Sequence, residues 1–174
     1  MPEGRLEAAT RLQGLAISQN DARKLLIRIA RREDVPALAA LFAADTLGGH
    51  GDTQDPAALP DYLTAFDRIT ASPNDHLYVA ELDGEVVGTF QTTQIVSLSA
   101  RGSMNLNVEA VQTRSDMRGR GIGAAMMRFA IEQARGAGAR LVQLSSNASR
   151  TDAHRFYERL GFAKSHAGFK MKLR

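Results

Sequence analysis

The chain has 174 residues, with 22 Lys and Arg against 19 Asp and Glu, for a formal net charge of +3. That length suits one domain with a substantial core, and the absence of cysteine excludes a disulfide framework, a thiol nucleophile and a cysteine-ligated metal. Four scattered histidines form no H-x-x-x-H pair, no apolar run reaches membrane-span length, and no signal-peptide core opens the chain, so a cytoplasmic protein without a metal is expected.

Residues 1–23 mix Arg5 and Arg11 with Glu3, Glu7 and Asp21 and lack a strong helix cap. They read as an N-terminal extension with little order, ahead of a single domain over 24–174. Leu25-Leu26-Ile27-Arg28-Ile29 suits a strand over 24–30. Asp34 is placed to cap a helix that has Pro36 in its first turn and runs to about Asp45. A glycine-containing loop from Leu47 to Asp55 precedes a second helix over 60–69. Strands are expected over 76–82 and 86–96, joined by the hairpin signal Asp83-Gly84, and over 103–113 after Arg101-Gly102.

A further helix carries Ile122, Met126, Phe129 and Ala130 on one face and ends at Gly136 and Gly138. A buried strand around Leu141, Val142 and Leu144, a helix over 151–160 and a final strand pair ending at Leu173 complete the order βααβββαβαββ. This order implies an α+β fold with a mixed, mostly antiparallel central sheet flanked by helices.

The segment richest in chemistry is Arg118-Gly119-Arg120-Gly121-Ile122-Gly123-Ala124, a glycine turn leading straight into a helix. A helix N-terminus carries about half a positive charge and unpaired N–H groups, and glycines leave room for a bulky anion to reach them. The turn suits a phosphate. It lacks the Gly-Lys-Ser/Thr triplet of a P-loop. It fits G-x-G-x-x-A through Gly119, Gly121 and Ala124, but the next strand, 140–145, ends without the acidic residue a dinucleotide ribose requires, and Asp152 comes too late.

Arg118, Gly121 and Gly123 fit the pattern Gln/Arg-x-x-Gly-x-Gly/Ala, and the run from Ala153 through Phe156, Tyr157, Gly161 and Phe162 fits Ala-x-x-Phe-Tyr-x-x-x-Gly-Phe. In both motifs and in their spacing, the sequence from about Leu25 onward resembles the GCN5-related N-acetyltransferases (GNAT), which move acetyl from acetyl-CoA to amines. The resemblance implies the acyl-CoA N-acyltransferase fold, acetyl-CoA as co-substrate and no metal. It also implies direct attack of a primary amine on the thioester in a ternary complex.

The resemblance also assigns residues. Backbone N–H groups of Gly119, Arg120, Gly121, Ile122, Gly123 and Ala124 would hold the coenzyme pyrophosphate, with charge added by Arg118 and Arg120. The main chain of Val111, Gln112 and Thr113 would lie beside the pantetheine arm and the acetyl group, where an aligned N–H can stabilise an oxyanion. Asn147 would bond the pantetheine, although a loop asparagine can equally shape a turn. Tyr157 would protonate the departing thiolate. Glu109, nine residues before Arg118, would serve as general base, directly or through water. Strict alternation places Glu109 on the same strand face as Val111 and Thr113.

Charge is unevenly spread. Residues 33–100 hold eleven acids and one base, Arg68, whereas 101–174 hold fourteen bases and five acids. The basic half carries the coenzyme motifs, and the acidic half suggests a cationic acceptor, either a small molecule or a peptide amine. Nucleic acid is not an expected partner, because the basic residues lack interleaved aromatics and the acidic block would repel phosphate. A membrane is likewise not expected, and a homodimer is left open. The rival reading is a non-catalytic acyl-CoA sensor on the same fold.

Overall fold

A computed structural model of the protein describes residues 25–45 and 51–173. The extension over 1–23 and the first part of the glycine-containing loop lie outside the described residues. Five strands form one sheet in the spatial order β1-β2-β3-β4-β5: β1 Leu25–Ile29, β2 Asp75–Leu82, β3 Glu85–Val96, β4 Met104–Thr113 and β5 Leu141–Leu144. The first three pairings are antiparallel, and β4 pairs with β5 in parallel. The sheet is therefore mixed and mostly antiparallel, as expected. Parallel strands need a crossover, and the helix Ile122–Gly136 supplies it.

The principal helices among the described residues are α1 Val35–Ala43, α2 Leu59–Ala71, α3 Ile122–Gly136 and α4 Thr151–Arg159. They bury apolar stripes against the two sheet faces. On one face Tyr78, Phe90 and Val108 meet Ile122, Met126, Met127 and Ala130 of α3. The Tyr78 and Phe90 rings stack at 4.9 Å, and burial pushes the Tyr78 phenol up to about 12. On the other face Leu77 and Val79 pack with Val35, Leu38 and Phe66 of α1 and α2. Each fully buried side chain of this size, Phe90 and Met126 among them, contributes about 1.5–3 kcal/mol.

The β2–β3 turn takes the expected hairpin form, with Asp83 and Gly84 both left-handed at φ 53° and 84°. Two expectations need correction. Asp34 does not cap α1 through its side chain. Its carboxylate reaches back to the Arg31 N–H at 2.7 Å and pairs with the Arg28 guanidinium, because β1 brings that cation alongside.

The final strand pair is also absent: residues 163–173 carry no strand, and Phe169, Met171 and Leu173 stand exposed. Their alternation provides an apolar face. A strand also needs ladder bonds and a covering layer, and no described layer covers this face.

Candidate active site

Strand β4 and helix α3 build the site between them. Up to Val108, β4 is bonded on both sides, to β3 and to β5. The parallel ladder ends at Val108 opposite Leu144, so from Glu109 to Thr113 the β5-facing edge of β4 has no strand partner among the described residues. The chain then leaves β4, crosses the glycine turn and enters α3. An open wedge of backbone thus lies next to a helix N-terminus.

A bulge shapes this edge. Glu109 stands opposite Gln91 and Gln112 opposite Thr89, so the single residue Phe90 faces both Ala110 and Val111. Ala110 takes up the extra residue in a left-handed conformation, φ 51°. For alanine this conformation costs roughly 1–2 kcal/mol, and strain of this kind clusters at functional sites. The bulge reverses the expected alternation. Glu109 shares its face with Gln112, on the side of α1 and α2, while Val111 packs into the cluster beneath α3. Sequence inspection missed this because alanine gives no sign of a positive φ.

The glycine turn has the expected form. Gly119 and Gly121 are left-handed, at φ 76° and 80°, and Gly121 is the N-cap of α3. The first helical bond runs from the Ala125 N–H to the Gly121 carbonyl at 2.9 Å, so the N–H groups of Ile122, Gly123 and Ala124 precede the helical ladder. Arg118 and Arg120 border this turn, and both are exposed. The Arg118 Nε lies 3.4 Å from the Thr113 carbonyl, beside the strand edge. At Gly123 an added Cβ would sit 3.4 Å from the Phe156 ring, in ordinary contact, so α4 packs close against the start of α3.

That packing holds Tyr157. Its ring meets Phe156 at 5.1 Å and Phe162 at 5.9 Å, both edge-on. Burial raises its phenol above the usual tyrosine value, and the charge of nearby Arg150 partly offsets the rise. Glu109 is exposed at the wedge. Asn147 shapes a turn, its side-chain oxygen accepting bonds from the Ser149 N–H and hydroxyl at 3.0 and 2.9 Å.

Two site residues, Asp45 and Arg150, give no signal in the sequence. Asp45, at the end of the described α1 segment, accepts the Gln112 Nε2 at 2.7 Å and the Arg150 Nη2 at 2.6 Å. A contact spanning 105 positions leaves no trace in local spacing. Through it, α1, the bulged strand and the start of α4 converge on one point. Among the described residues no helix is long and apolar enough to cross a membrane, and no group of three or more His, Cys, Asp or Glu is placed to hold a metal.

Residues 35–162 match the model of the Acetyltransferase (GNAT) family. The chain belongs to the GNAT family of acetyltransferases. An aminoalkylphosphonate N-acetyltransferase from Salmonella typhimurium is 35% identical over 159 residues, covering 85% of this chain and 100% of that protein. Among solved structures, one described as a transcriptional regulator from Bacillus halodurans is similar with a TM-score of 0.82 and 38% identity, covering 86% of this chain and 99% of that one. An aminoglycoside N-acetyltransferase in complex with CoA shares the fold at a TM-score of 0.71 and 15% identity, covering 90% and 99%. This GNAT protein is accordingly an N-acetyltransferase, and its glycine turn at 118–124 adjoins the wedge at 109–113.

Proposed function

We propose that the enzyme transfers acetyl from acetyl-CoA to the primary amine of a small aminoalkylphosphonate, by direct attack within a ternary complex. The observation that carries this reading is the alignment with the Salmonella enzyme along that protein's whole length. The site residues supply each chemical need. The N–H groups opening α3, with Arg118 and Arg120, offer donors and charge to the pyrophosphate. The unpaired edge of Val111, Gln112 and Thr113 offers backbone bonds to the pantetheine amides, as a sheet edge does for an added strand. Asn147, in the loop that follows β5, keeps its amide donor free of the turn it shapes.

Glu109 removes the proton from the ammonium, directly or through a water, because a protonated amine has no lone pair with which to attack. The amine forms a C–N bond with the acetyl carbon as the C–S bond breaks, and the extra proton left on the nitrogen passes to water, from which Tyr157 is later reprotonated. Tyr157, protonated because of its burial, gives its proton to the thiolate. The chain has no cysteine to hold an acetyl intermediate. The ammonium end of such an acceptor meets the cationic expectation drawn from the acidic half, whereas the phosphonate end departs from it.

Coenzyme A release with a panel of amines tests the proposal. Aminomethylphosphonate and 2-aminoethylphosphonate should exceed spermidine and aminoglycosides in kcat/KM by about 10²-fold, the scale of one charged contact. Better turnover of polycations would restore the purely cationic acceptor. Tight acetyl-CoA binding without turnover of any amine would favour the sensor reading, to which the Bacillus relative's description lends support.

A further inference from the structure

The acceptor side of the wedge contains a cation as well as carboxylates, and the proposed reaction does not yet use it. Arg150 occupies the N-cap position of α4, and its side chain is 25% exposed. Asp45, whose side chain is 12% exposed, bonds this guanidinium through Nη2 alone. The Nη1 and Nε donors of Arg150 have no acceptor among the described residues. Asp45 is itself fixed by Gln112, which shares a strand face with Glu109. Seven residues along α4, two helical turns, separate Arg150 from Tyr157, so both lie on one helix face. The Arg150 charge is felt at the Tyr157 phenol.

We infer that Arg150 is the specificity-determining residue on the acceptor side of the wedge, its unused guanidinium donors binding a tetrahedral oxyanion on the acceptor while Glu109 faces the ammonium. This rests on the aminoalkylphosphonate reading above. A guanidinium held by a carboxylate at one nitrogen keeps charged donors on its other two nitrogens for the oxygens of a second anion. Asp45 fixes the side chain beforehand, so little rotamer freedom is lost when the acceptor binds. In an aminoalkylphosphonate such as those named above, only one or two carbons separate the ammonium from the oxyanion. Glu109, and Arg150 joined through Asp45 to Gln112 on the same face of β4, suit such a zwitterion, whereas a polycation would bring a second positive charge against the guanidinium. The local pairing also shows how an acidic half of the chain can admit an anionic group.

Steady-state kinetics of wild type, Arg150→Gln and Arg150→Lys test the inference, with four acceptors: 2-aminoethylphosphonate, O-phosphoethanolamine, β-alanine and n-propylamine. Acetyl-CoA affinity and the melting temperature serve as folding controls. Arg150→Gln should raise KM for the phosphonate by about 10²-fold, the scale of a charged hydrogen-bonded contact, with kcat little changed. Its kcat/KM for n-propylamine should stay within about threefold. Arg150→Lys should recover part of the phosphonate preference, since it keeps the charge and loses the separate donors that let one guanidinium serve both Asp45 and the acceptor.

Phosphoethanolamine separates a phosphate ester from a phosphonate as the natural group, and β-alanine separates a tetrahedral oxyanion from any anion. Equal losses on phosphonate and n-propylamine would overturn the inference and make Arg150 a structural tie. A wild-type enzyme indifferent to the phosphonate would overturn the acceptor reading itself. A wild-type preference that survives Arg150→Gln would overturn the role of Arg150 alone. Should Arg150→Gln fail to fold, Asp45→Asn, which leaves the guanidinium in place but no longer fixed, should raise KM for the phosphonate and leave KM for n-propylamine unchanged; equal rises for both acceptors, or none for the phosphonate, would overturn the inference.

Discussion

A phenol serves as an acid only while it keeps its proton until the leaving group needs it, and the surroundings of Tyr157 favour that. Burial raises its pKa, so the hydroxyl stays protonated through neutral pH and beyond the ordinary tyrosine value of about 10. Tyr157→Phe retains the edge-on contacts with Phe156 and Phe162 and deletes only the donor. Turnover should fall about 10²-fold with acetyl-CoA affinity nearly unchanged, read by single-turnover kinetics and calorimetry. Wild-type turnover in that variant would reduce the tyrosine to packing. Glu109 is exposed beside the bulge, where both amine and water can reach it. Glu109→Gln should lower the rate at pH 7 by about tenfold or more and recover part of it as pH approaches the acceptor's own pKa, near 10 for a lysine-like amine. A pH–rate profile overlying that of wild type would assign proton removal to bulk water.

At the scale of elements, the glycine turn and the α4 motif are legible in the sequence because each depends on residue types at fixed short spacing. Gly119 and Gly121 have the left-handed φ that favours glycine, and Phe156-Tyr157 is one amphipathic step. The bulge is not legible, since Ala110 resembles any strand alanine and the irregularity shows only in register with β3. Distance along the chain hides the tie of Asp45 to Arg150. The last strands fail for another reason: alternation at Phe169, Met171 and Leu173 specifies a face but not its cover. The turn yields a prediction that separates backbone from ligand. At Gly121 an added Cβ would have no atom within 4 Å, so a substitution meets strain from φ 80° and not a clash within the protein. Gly121→Val should cost about 1–2 kcal/mol of stability and nearly all coenzyme affinity. Gly121→Asn tolerates the left-handed backbone and should fold normally, yet still bind acetyl-CoA poorly by calorimetry, because its side chain stands before the anion donors. Full affinity in Gly121→Asn would remove the turn from the coenzyme site.

For the whole molecule, two cores on opposite faces hold one sheet, and a polar knot secures its first edge. Arg28 bonds Asp34 at 2.7 Å and Glu81 at 2.8 Å, joining β1 to β2 and to the entry of α1, and these side chains are 15%, 7% and 24% exposed. Burial alone would raise the Asp34 carboxyl, but the Arg28 guanidinium and the Arg31 N–H outweigh it and hold the group below the ordinary carboxylate value. Asp34 therefore stabilises the fold fully above the unfolded carboxyl's pKa of about 4, and the contribution is lost as pH falls through the lower folded value. The Arg28 guanidinium, raised first by its bond to Asp34, stays charged across the same range. Asp34→Asn leaves that cation with Glu81 alone and should cost roughly 2–3 kcal/mol at pH 7. The variant has no carboxyl to titrate at this position, so its stability should fall less than that of wild type between about pH 5 and about pH 2.5. Urea unfolding at both values measures the difference. Equal acid losses in the two proteins would mean that the proton taken up on acid unfolding goes elsewhere, and that the knot acts through packing rather than charge.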